Sequence, residues 1–512
     1  MQAKLLQRGM STLEIVIAFA LIIIAIVGGV DASYSAQYWS LASLTSNEGL
    51  YKAKTVLETI RANASFDFQS ASSSPLTASK NQNDAADKSC IAGGLCYFTG
   101  TFVTDYSTCA KFAEARVAWD VSQRYPTTTT SLFSNLTNDA EIIALGGDCL
   151  LARPAGSWTT ASPSIVGSVS LGGEYTTGID VLQKKIYVTA SSTNISARQL
   201  RIYSTPQALG QSPTLLGSTP GSTLRLNAVD AVRDESTGRL YVYAAQHATS
   251  SQLAVFDATD SANPTLVTTR GLSGVDPLGS YPQGWRVFAY GSRLYVTTRE
   301  TAGPELHIFD ISQPTQPTEI VSAATELTRT VNALVVRNEI VNGATRRFLY
   351  LAASAGLKEL SVLDVTGDTP VEKVAVNLSN TQDALSLSLI GNRLYVGRQL
   401  TSGGPELFVF DTKQLQAGNT TPLGSAKVGG DVAAIRAVGD VLFLATSVAG
   451  AEFEVRASDY TKWSTTNAAT GRYSTTAFTN LAPQSLDVEG DYVYGASRNF
   501  GGAETLTTFY TP

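Results

Sequence analysis

Leu294-Tyr295, followed by Leu306-His307-Ile308-Phe309-Asp310, is one of seven copies of a single two-part pattern. The first part is a dipeptide of the Leu-Tyr type, at Ile186-Tyr187, Leu240-Tyr241, Leu294-Tyr295, Leu349-Tyr350, Leu394-Tyr395, Leu442-Phe443 and Val493-Tyr494. The second part begins at Leu200, Leu253, Leu306, Leu360, Leu407, Phe453 and Leu506, at intervals of 46 to 54 residues. Each part alternates apolar and polar positions, as a strand packed between neighbouring sheets does. The interval is the length of a four-stranded propeller blade rather than a solenoid coil. Residues 234–238, Gly291-Ser292, Gly391-Asn392 and Gly439-Asp440 supply turn chemistry just before a Leu-Tyr-type dipeptide, where a tight reversal is needed. Seven copies predict seven blades. The strand-like segment 165–171 precedes the first copy, and the last copy lacks a fourth strand. Segment 165–171 is therefore expected to complete the final blade and close the ring, removing exposed sheet edges.

The repeats resemble those of extracellular β-propellers with LVIVD-like repeats, over about two thirds of the chain. That fold does not fix an activity. Asp257, Asp310, Asp364 and Asp411 recur directly after a strand, a place better explained by turn initiation and capping than by metal ligation. His307, within a strand, and the few tryptophans read as packing residues.

Of the 512 residues, 43% are hydrophobic and only 16% charged, against a usual charged share of about 25%. The length fits two to four domains with a full-sized core. A formal charge of -6 would repel a phosphate backbone, so direct nucleic-acid binding is not expected. Two histidines, His247 and His307, leave little for an imidazole metal site or a histidine base. No metal or cofactor is expected.

Between Ile15 and Val30 there is no ionisable residue, and about 20 residues could cross roughly 30 Å of hydrocarbon as a helix. Lys4 and Arg8 precede this run with no acid between them, which places the amino end in the cytoplasm and the remainder outside. A cleaved secretory signal has its scission site after the apolar core; here the candidate site comes before it. Arg8-Gly9-Met10-Ser11-Thr12-Leu13-Glu14, followed by Ile15-Val16-Ile17, resembles the class III signal of type IV pilins and type II secretion pseudopilins. The resemblance implies cleavage by a prepilin peptidase between Gly9 and Met10, N-methylation of the new terminus, and an assembly role for Glu14. A carboxylate in a membrane helix costs about 2.5 to 3.5 kcal/mol on insertion scales and persists mainly when paired. In the resembled family the partner is the first amine of a neighbouring subunit, here that of Met10. Met10 replaces the commoner phenylalanine.

The pattern stays helix-compatible to Arg61, with Leu50, Leu57 and Ile60 approximating a stripe around Ala53 and Lys54. One helix over 10–61 is expected, with a membrane half and an amphipathic half on a globular head. Gly28 and Gly29 weaken it by about 1 kcal/mol each relative to alanine, enough to suggest local melting. Segments 115–121 and 127–132 read as strands, so the helix is expected on a small antiparallel sheet, as the pilin resemblance also implies. All four cysteines, Cys90, Cys96, Cys109 and Cys149, fall in this region, and an even number outside the cytoplasm predicts two disulfides. Three pairings are open; Cys90 with Cys96 and Cys109 with Cys149 is favoured as a local pair plus a longer clasp. Zinc ligation would need tighter spacing.

The expected organisation is a leader over 1–9, a pilin-like helix over 10–61 and a disulfide-bearing head over 62–153. A linker over 154–163 leads to a seven-bladed β-propeller over 164–512. The fold class is thus an α+β pilin-like module followed by an all-β domain. The function expected is a non-catalytic minor subunit of a type IV pilus-like or type II pseudopilus-like filament. It sits in the inner membrane before assembly and outside the cell afterwards, displaying the propeller for binding or adhesion. Its expected partners are other pilin subunits, the prepilin peptidase and an extracellular ligand. The competing readings are a membrane-anchored scaffold or receptor that does not polymerise, and a propeller hydrolase or lyase using carboxylates. Mass spectrometry of the native amino terminus separates the first two. The filament reading expects a chain beginning at N-methylated Met10; retention of residues 1–9 supports the scaffold.

Overall fold

The computed structural model describes residues 12–66, 71–78, 96–107, 110–120, 128–137, 158, 163–172, 175–191, 198–220, 224–234, 236–275, 283–354, 356, 358–378, 382–439, 441–463, 471–473, 485–497 and 505–511. The chain forms two compact units, Met1–Asp139 and Ala140–Pro512.

In the first unit a single helix, α1 (Thr12–Phe66), runs for 55 residues, about 80 Å at 1.5 Å per residue. In the isolated chain it continues through Gly28 and Gly29 without a break. Leu13, Ile17, Phe19, Ile24 and Val27 are among the large apolar side chains exposed along its first half. This half is long and apolar enough to cross a membrane and fits an anchoring or signal segment. The second half packs on a four-stranded antiparallel sheet in the order β1 (Ser74–Ala78), β2 (Cys96–Ser107), β3 (Ala110–Asp120) and β4 (Thr128–Thr137).

The buried face of α1 is Thr45, Gly49, Ala53, Leu57, Ile60 and Ala64, recurring at the three- and four-residue spacing that keeps side chains on one side of a helix. Leu50, expected in this stripe, is exposed; the small residues Gly49 and Ala53 take the contact instead. The reason is Trp119 of β3, which is 2% exposed and occupies the space a larger helix residue would need. A Cβ at Gly49 would lie 2.5 Å from Trp119 Cζ3. Tyr97 of β2 packs on the same tryptophan and donates its hydroxyl to Glu48 on the helix at 3.0 Å.

The two disulfides expected over residues 62–153 are not found: no disulfide bond occurs among the described residues. Cys96 opens β2 in register with Asp120 of β3. Cys90, Cys109 and Cys149 lie outside the described residues. Main-chain ladders and the packing of Ala113, Ala115 and Leu136 against Leu57, Ile60 and Ala64 hold the helix and sheet together instead.

The second unit is propeller-like, built from four-stranded antiparallel sheets. It opens with β5 (Ser164–Ser170). Sheet one is β6 (Tyr175–Leu182), β7 (Lys185–Ser191), β8 (Leu200–Ser204) and β9 (Thr214–Ser218). Sheet two is β10 (Leu226–Arg233), β11 (Leu240–Gln246), β12 (Leu253–Asp257) and β13 (Thr265–Arg270). Sheet three is β14 (Gly284–Tyr290), β15 (Arg293–Thr298), β16 (Leu306–Asp310) and β17 (Thr318–Glu319). Sheet four is β18 (Val331–Val341), β19 (Ala344–Ala353), β20 (Leu360–Asp364) and β21 (Val371–Val376). Sheet five is β22 (Ala384–Ile390), β23 (Arg393–Arg398), β24 (Leu407–Asp411) and β25 (Gly424–Ala426). Sheet six is β26 (Val432–Val438), β27 (Val441–Thr446), β28 (Phe453–Ala457) and β29 (Gly471–Tyr473). The last sheet joins β30 (Leu486–Glu489), β31 (Tyr492–Ala496) and β32 (Thr505–Tyr510) to β5. Leu506 of β32 stands opposite Val169 of β5, so an early strand supplies the fourth member of the last sheet.

Every Leu-Tyr-type dipeptide lies in the second strand of a sheet, and every second anchor lies at the start of a third strand, opening it in all but the last sheet, where Thr505 precedes Leu506. The aromatic residues of the first anchors are all buried. The core consists of apolar layers between successive sheets: Tyr241, Tyr243 and Val255 meet Leu294, Val296 and Phe309 between sheets two and three. Phe443 and Phe453 meet Val493 and Phe509 further along, and the Phe453 and Phe509 rings stack 4.3 Å apart. Gly291, Gly391 and Gly439 have φ near +60°, the left-handed conformation their tight reversals demand. Asp257, Asp310 and Asp364 each accept the main-chain N–H two residues on. Asp411 accepts that of Gln414 and caps the short helix α2 (Thr412–Gln416). These are the turn and cap geometries that place an aspartate after a strand.

Replacing Gly49 with alanine is expected to force Trp119 out of place and to destabilise the first unit by about 1 to 3 kcal/mol. Urea unfolding of the detergent-solubilised chain, followed by near-ultraviolet circular dichroism, measures the change; an unshifted midpoint would refute the close packing.

Candidate functional site

The first strand of each sheet contacts the first strands of its neighbours. Such a strand carries ladder hydrogen bonds on one side only, so N–H and C=O groups on its other side need partners. Side chains from neighbouring sheets provide them at two levels.

At one level, side chains donate to carbonyls. Thr177 Oγ1 donates to Leu226 O at 2.8 Å, Asn227 Nδ2 to Gly284 O at 2.7 Å, and Arg286 Nε to Asn332 O at 2.6 Å. Asn332 Nδ2 donates to Ala384 O at 2.9 Å and Ser386 Oγ to Val432 O at 2.8 Å. At the second level, oxygen atoms accept main-chain N–H groups. Asp180 Oδ2 accepts from Ala231 at 2.6 Å, Asp230 Oδ2 accepts from Ala289, and Ser388 Oγ accepts from Ala437 at 2.9 Å. Asp487 Oδ2 accepts from Val181 at 2.7 Å while its Oδ1 takes a bond from Arg436 Nε at 3.0 Å.

Asp180, Asp230, Asp487 and Arg436 form the densest charge cluster of this arrangement. Arg436 keeps 32% of its side-chain exposure and Asp487 13%, so the cluster borders solvent. Burial, reinforced by the charges of Asp230 and Asp487, pushes the Asp180 carboxyl well above its ordinary value. Burial likewise raises Asp230 to about 7, although the Ala289 N–H and Arg436 oppose it. Burial works against the Arg436 cation, but Asp487, Asp180 and Asp230 outweigh it and hold its pKa above the ordinary value. Carboxyls raised in this way are ingredients of acid-base chemistry. Here each of the three also accepts a main-chain N–H from another sheet, which gives all three a structural task.

The residues singled out from sequence lie elsewhere. Gly9 and Met10 are outside the described residues, and Glu14 lies in the first turns of α1. His307 is fully buried, with Nδ1 2.7 Å from Glu319 Oε1 and Nε2 3.0 Å from Pro304 O, which fixes it inside sheet three. Among the described residues no group of three His, Cys, Asp or Glu side chains converges as a metal site.

A buried row escaped the sequence reading altogether. In four of the seven copies the residue just before the second anchor is Gln252, Glu305, Glu359 or Glu406, all nearly inaccessible. Glu305 Oε2 accepts the N–H groups of Leu327 and Thr328, and Glu406 Oε2 those of Val428 and Gly429. Glu359 Oε2 accepts from Leu378, and Gln252 Oε1 from Leu272. Each side chain latches the segment leaving its own sheet. Aligning the copies on their second anchors would have exposed the row as a recurring Gln or Glu where a strand-edge residue should vary.

The LVIVD repeat family matches residues 284–325, the segment that forms sheet three and the turn after it. No curated protein matches the chain significantly. Among solved structures, Sqt1 of Saccharomyces cerevisiae is similar at 9% identity and TM-score 0.45, covering 69% of this chain and 100% of its own. The Cps50 (Swd1) beta-propeller domain of Myceliophteria thermophila is similar at 9% identity and TM-score 0.39, with 68% and 100% covered. YCF48 bound to D1 peptide is similar at 13% identity and TM-score 0.40, with 71% and 99% covered.

The Asp230 shift sets a pH dependence. With its folded pKa near 7 against an ordinary 3.8, the native protein holds more protons than the unfolded chain between those values. The associated stability is complete below the lower value and is lost as pH rises through the upper one. Asp230→Asn, which can still accept the Ala289 N–H, is expected to gain a few degrees in melting temperature over the wild type on going from about pH 5 to about pH 8. Calorimetry of both proteins at the two pH values measures it, and a constant difference would contradict the shift.

Proposed function

We propose that this protein is a non-catalytic minor subunit of a type IV pilus-like or pseudopilus-like filament, and that its second unit is a closed seven-bladed propeller displayed for extracellular binding. The observation that carries the reading is α1. It is one continuous rod with an exposed apolar half, and the acid Glu14 stands in its first turns, five residues after Gly9. An unpaired carboxylate at that depth is costly, and a neighbouring subunit's Met10 amine, freed by cleavage after Gly9, would neutralise it. The prepilin peptidase and other pilin subunits are the partners this implies, with the inner membrane as the site before assembly.

Ring closure is supported by the strand that β5 adds to β32 and by the bonds from Val181 N and Lys184 N of sheet one to Asp487 and Glu489 of the last sheet. Ile186 and Val188 also share an apolar layer with Tyr494 and Leu506. A closed ring has no free sheet edge to pair with a neighbour in a crowded fibre, and its bulk favours a tip or accessory position over the shaft.

A carboxylate hydrolase is the second reading, favoured by the raised carboxyls of Asp180 and Asp230. It requires that turnover of a glycan substrate vanish in Asp180→Asn.

Glu14→Ala is expected to insert into the membrane normally while entering filaments at least about tenfold less often, since pairing of a membrane-buried acid is worth a kcal/mol or more. Immunoblots of membranes and of sheared fibres measure both quantities. Normal incorporation would sink the pairing mechanism.

A further inference from the structure

Where sheets two and three meet, a lateral row of backbone runs across both. His247 N donates to Arg225 O at 2.7 Å, His247 bridges Gln283, and Arg299 N donates to Gln283 O at 3.2 Å. The row brings Arg225, His247 and Arg299 together at one end of the strands. Trp285, two residues beyond Gln283, lies under two guanidinium groups, Arg286 at 4.5 Å and Arg299 at 5.1 Å from its ring centre. Arg286 is 2% exposed and, among the described residues, donates to main-chain carbonyls, those of Asn332, Asn227 and Trp285.

Three arginines and a histidine thus converge, and neither Arg225 nor Arg286 pairs with a carboxylate among the described residues. Two donors here, Arg225 Nε and Trp285 Nε1, are shielded from solvent and have no hydrogen-bond partner among the described residues. Burying cations and N–H donors without acceptors is costly. The strain is also electrostatic: burial and the Arg299 charge bring Arg286 down to about 9. Burial and the charges of Arg225 and Arg299 lower His247. An anion at this junction offers an acceptor to the idle Arg225 and Trp285 N–H groups and offsets the charge gathered there.

We infer that Arg225, His247, Trp285, Arg286 and Arg299 form a binding site for an oxyanion, a carboxylate or phosphate group carried by the propeller's extracellular ligand. The inference rests on reading the second unit as a binding module and is independent of filament assembly. Guanidinium forks match both planar carboxylates and phosphate oxygens, and the indole N–H adds a neutral donor.

Isothermal titration of the detergent-solubilised full chain with inorganic phosphate and, separately, with oligogalacturonate distinguishes a free anion from an acidic glycan. Saturable binding of either is expected. Arg225→Gln is expected to weaken it about tenfold or more, as loss of a charged hydrogen bond does. Trp285→Phe, which keeps the ring and removes only the N–H, is expected to weaken it less. Arg346→Gln, a change of equal charge at an exposed site in sheet four, is expected to leave it unchanged. Absence of binding to both probes overturns the site, as does equal weakening by Arg346→Gln or unchanged affinity in both Arg225→Gln and Trp285→Phe. If whole-cell adhesion depends on the propeller yet ignores these substitutions, the anion site falls while the binding-module reading stands.

Discussion

The constraint on which the second unit depends is the unsatisfied side of each first strand. A four-stranded sheet gives its first strand ladder partners on one side only, and the remaining polar groups cannot be buried bare. Thr177, Asn227, Arg286, Asn332 and Ser386 answer the carbonyls, while Asp180, Asp230, Ser388 and Asp487 answer the N–H groups. Apolar layers between sheets provide most of the attraction, being large and non-directional. The polar bridges fix how far one sheet is displaced along the next. They explain why carboxylates whose burial disfavours ionisation persist in this chain.

The first unit solves a different problem. A helix that is apolar on all sides in one half and small on one face in the other has to meet two environments in succession. Gly49 and Ala53 let Trp119 approach the helix backbone, and the aromatic pair of Tyr97 and Trp119 with the Tyr97–Glu48 bond fixes the docking. The packed sheet holds this arrangement without any disulfide among the described residues. Cysteine parity is a statement about compartment and number; strand register decides what stands opposite what, and Asp120 stands opposite Cys96.

The repeats were legible because each anchor is a buried strand whose apolar residues recur with the period of the sheet, and the turns between them need glycine or aspartate. Asp257, Asp310, Asp364 and Asp411 were legible for the same reason, as local bonds to main chain a few residues ahead. The carboxylate cluster and the basic junction were not. Asp180, Asp230 and Asp487 come from three sheets, and Arg225 and Arg286 from two, so no local pattern joins them. Gln252, Glu305, Glu359 and Glu406 lie between these extremes: their spacing is periodic, but their partners lie about twenty residues away.

The sequence alone determined the apolar amino-terminal helix, the seven-fold recurrence and the fourth strand that residues 165–171 lend to the last sheet, because each is a matter of local periodicity or of counting strands. Only the tertiary structure decided which helix face is buried, which charges meet and which donors are left without acceptors. Those outcomes depend on register between strands far apart in the chain, and a shift of one residue there would turn every side chain to the opposite face.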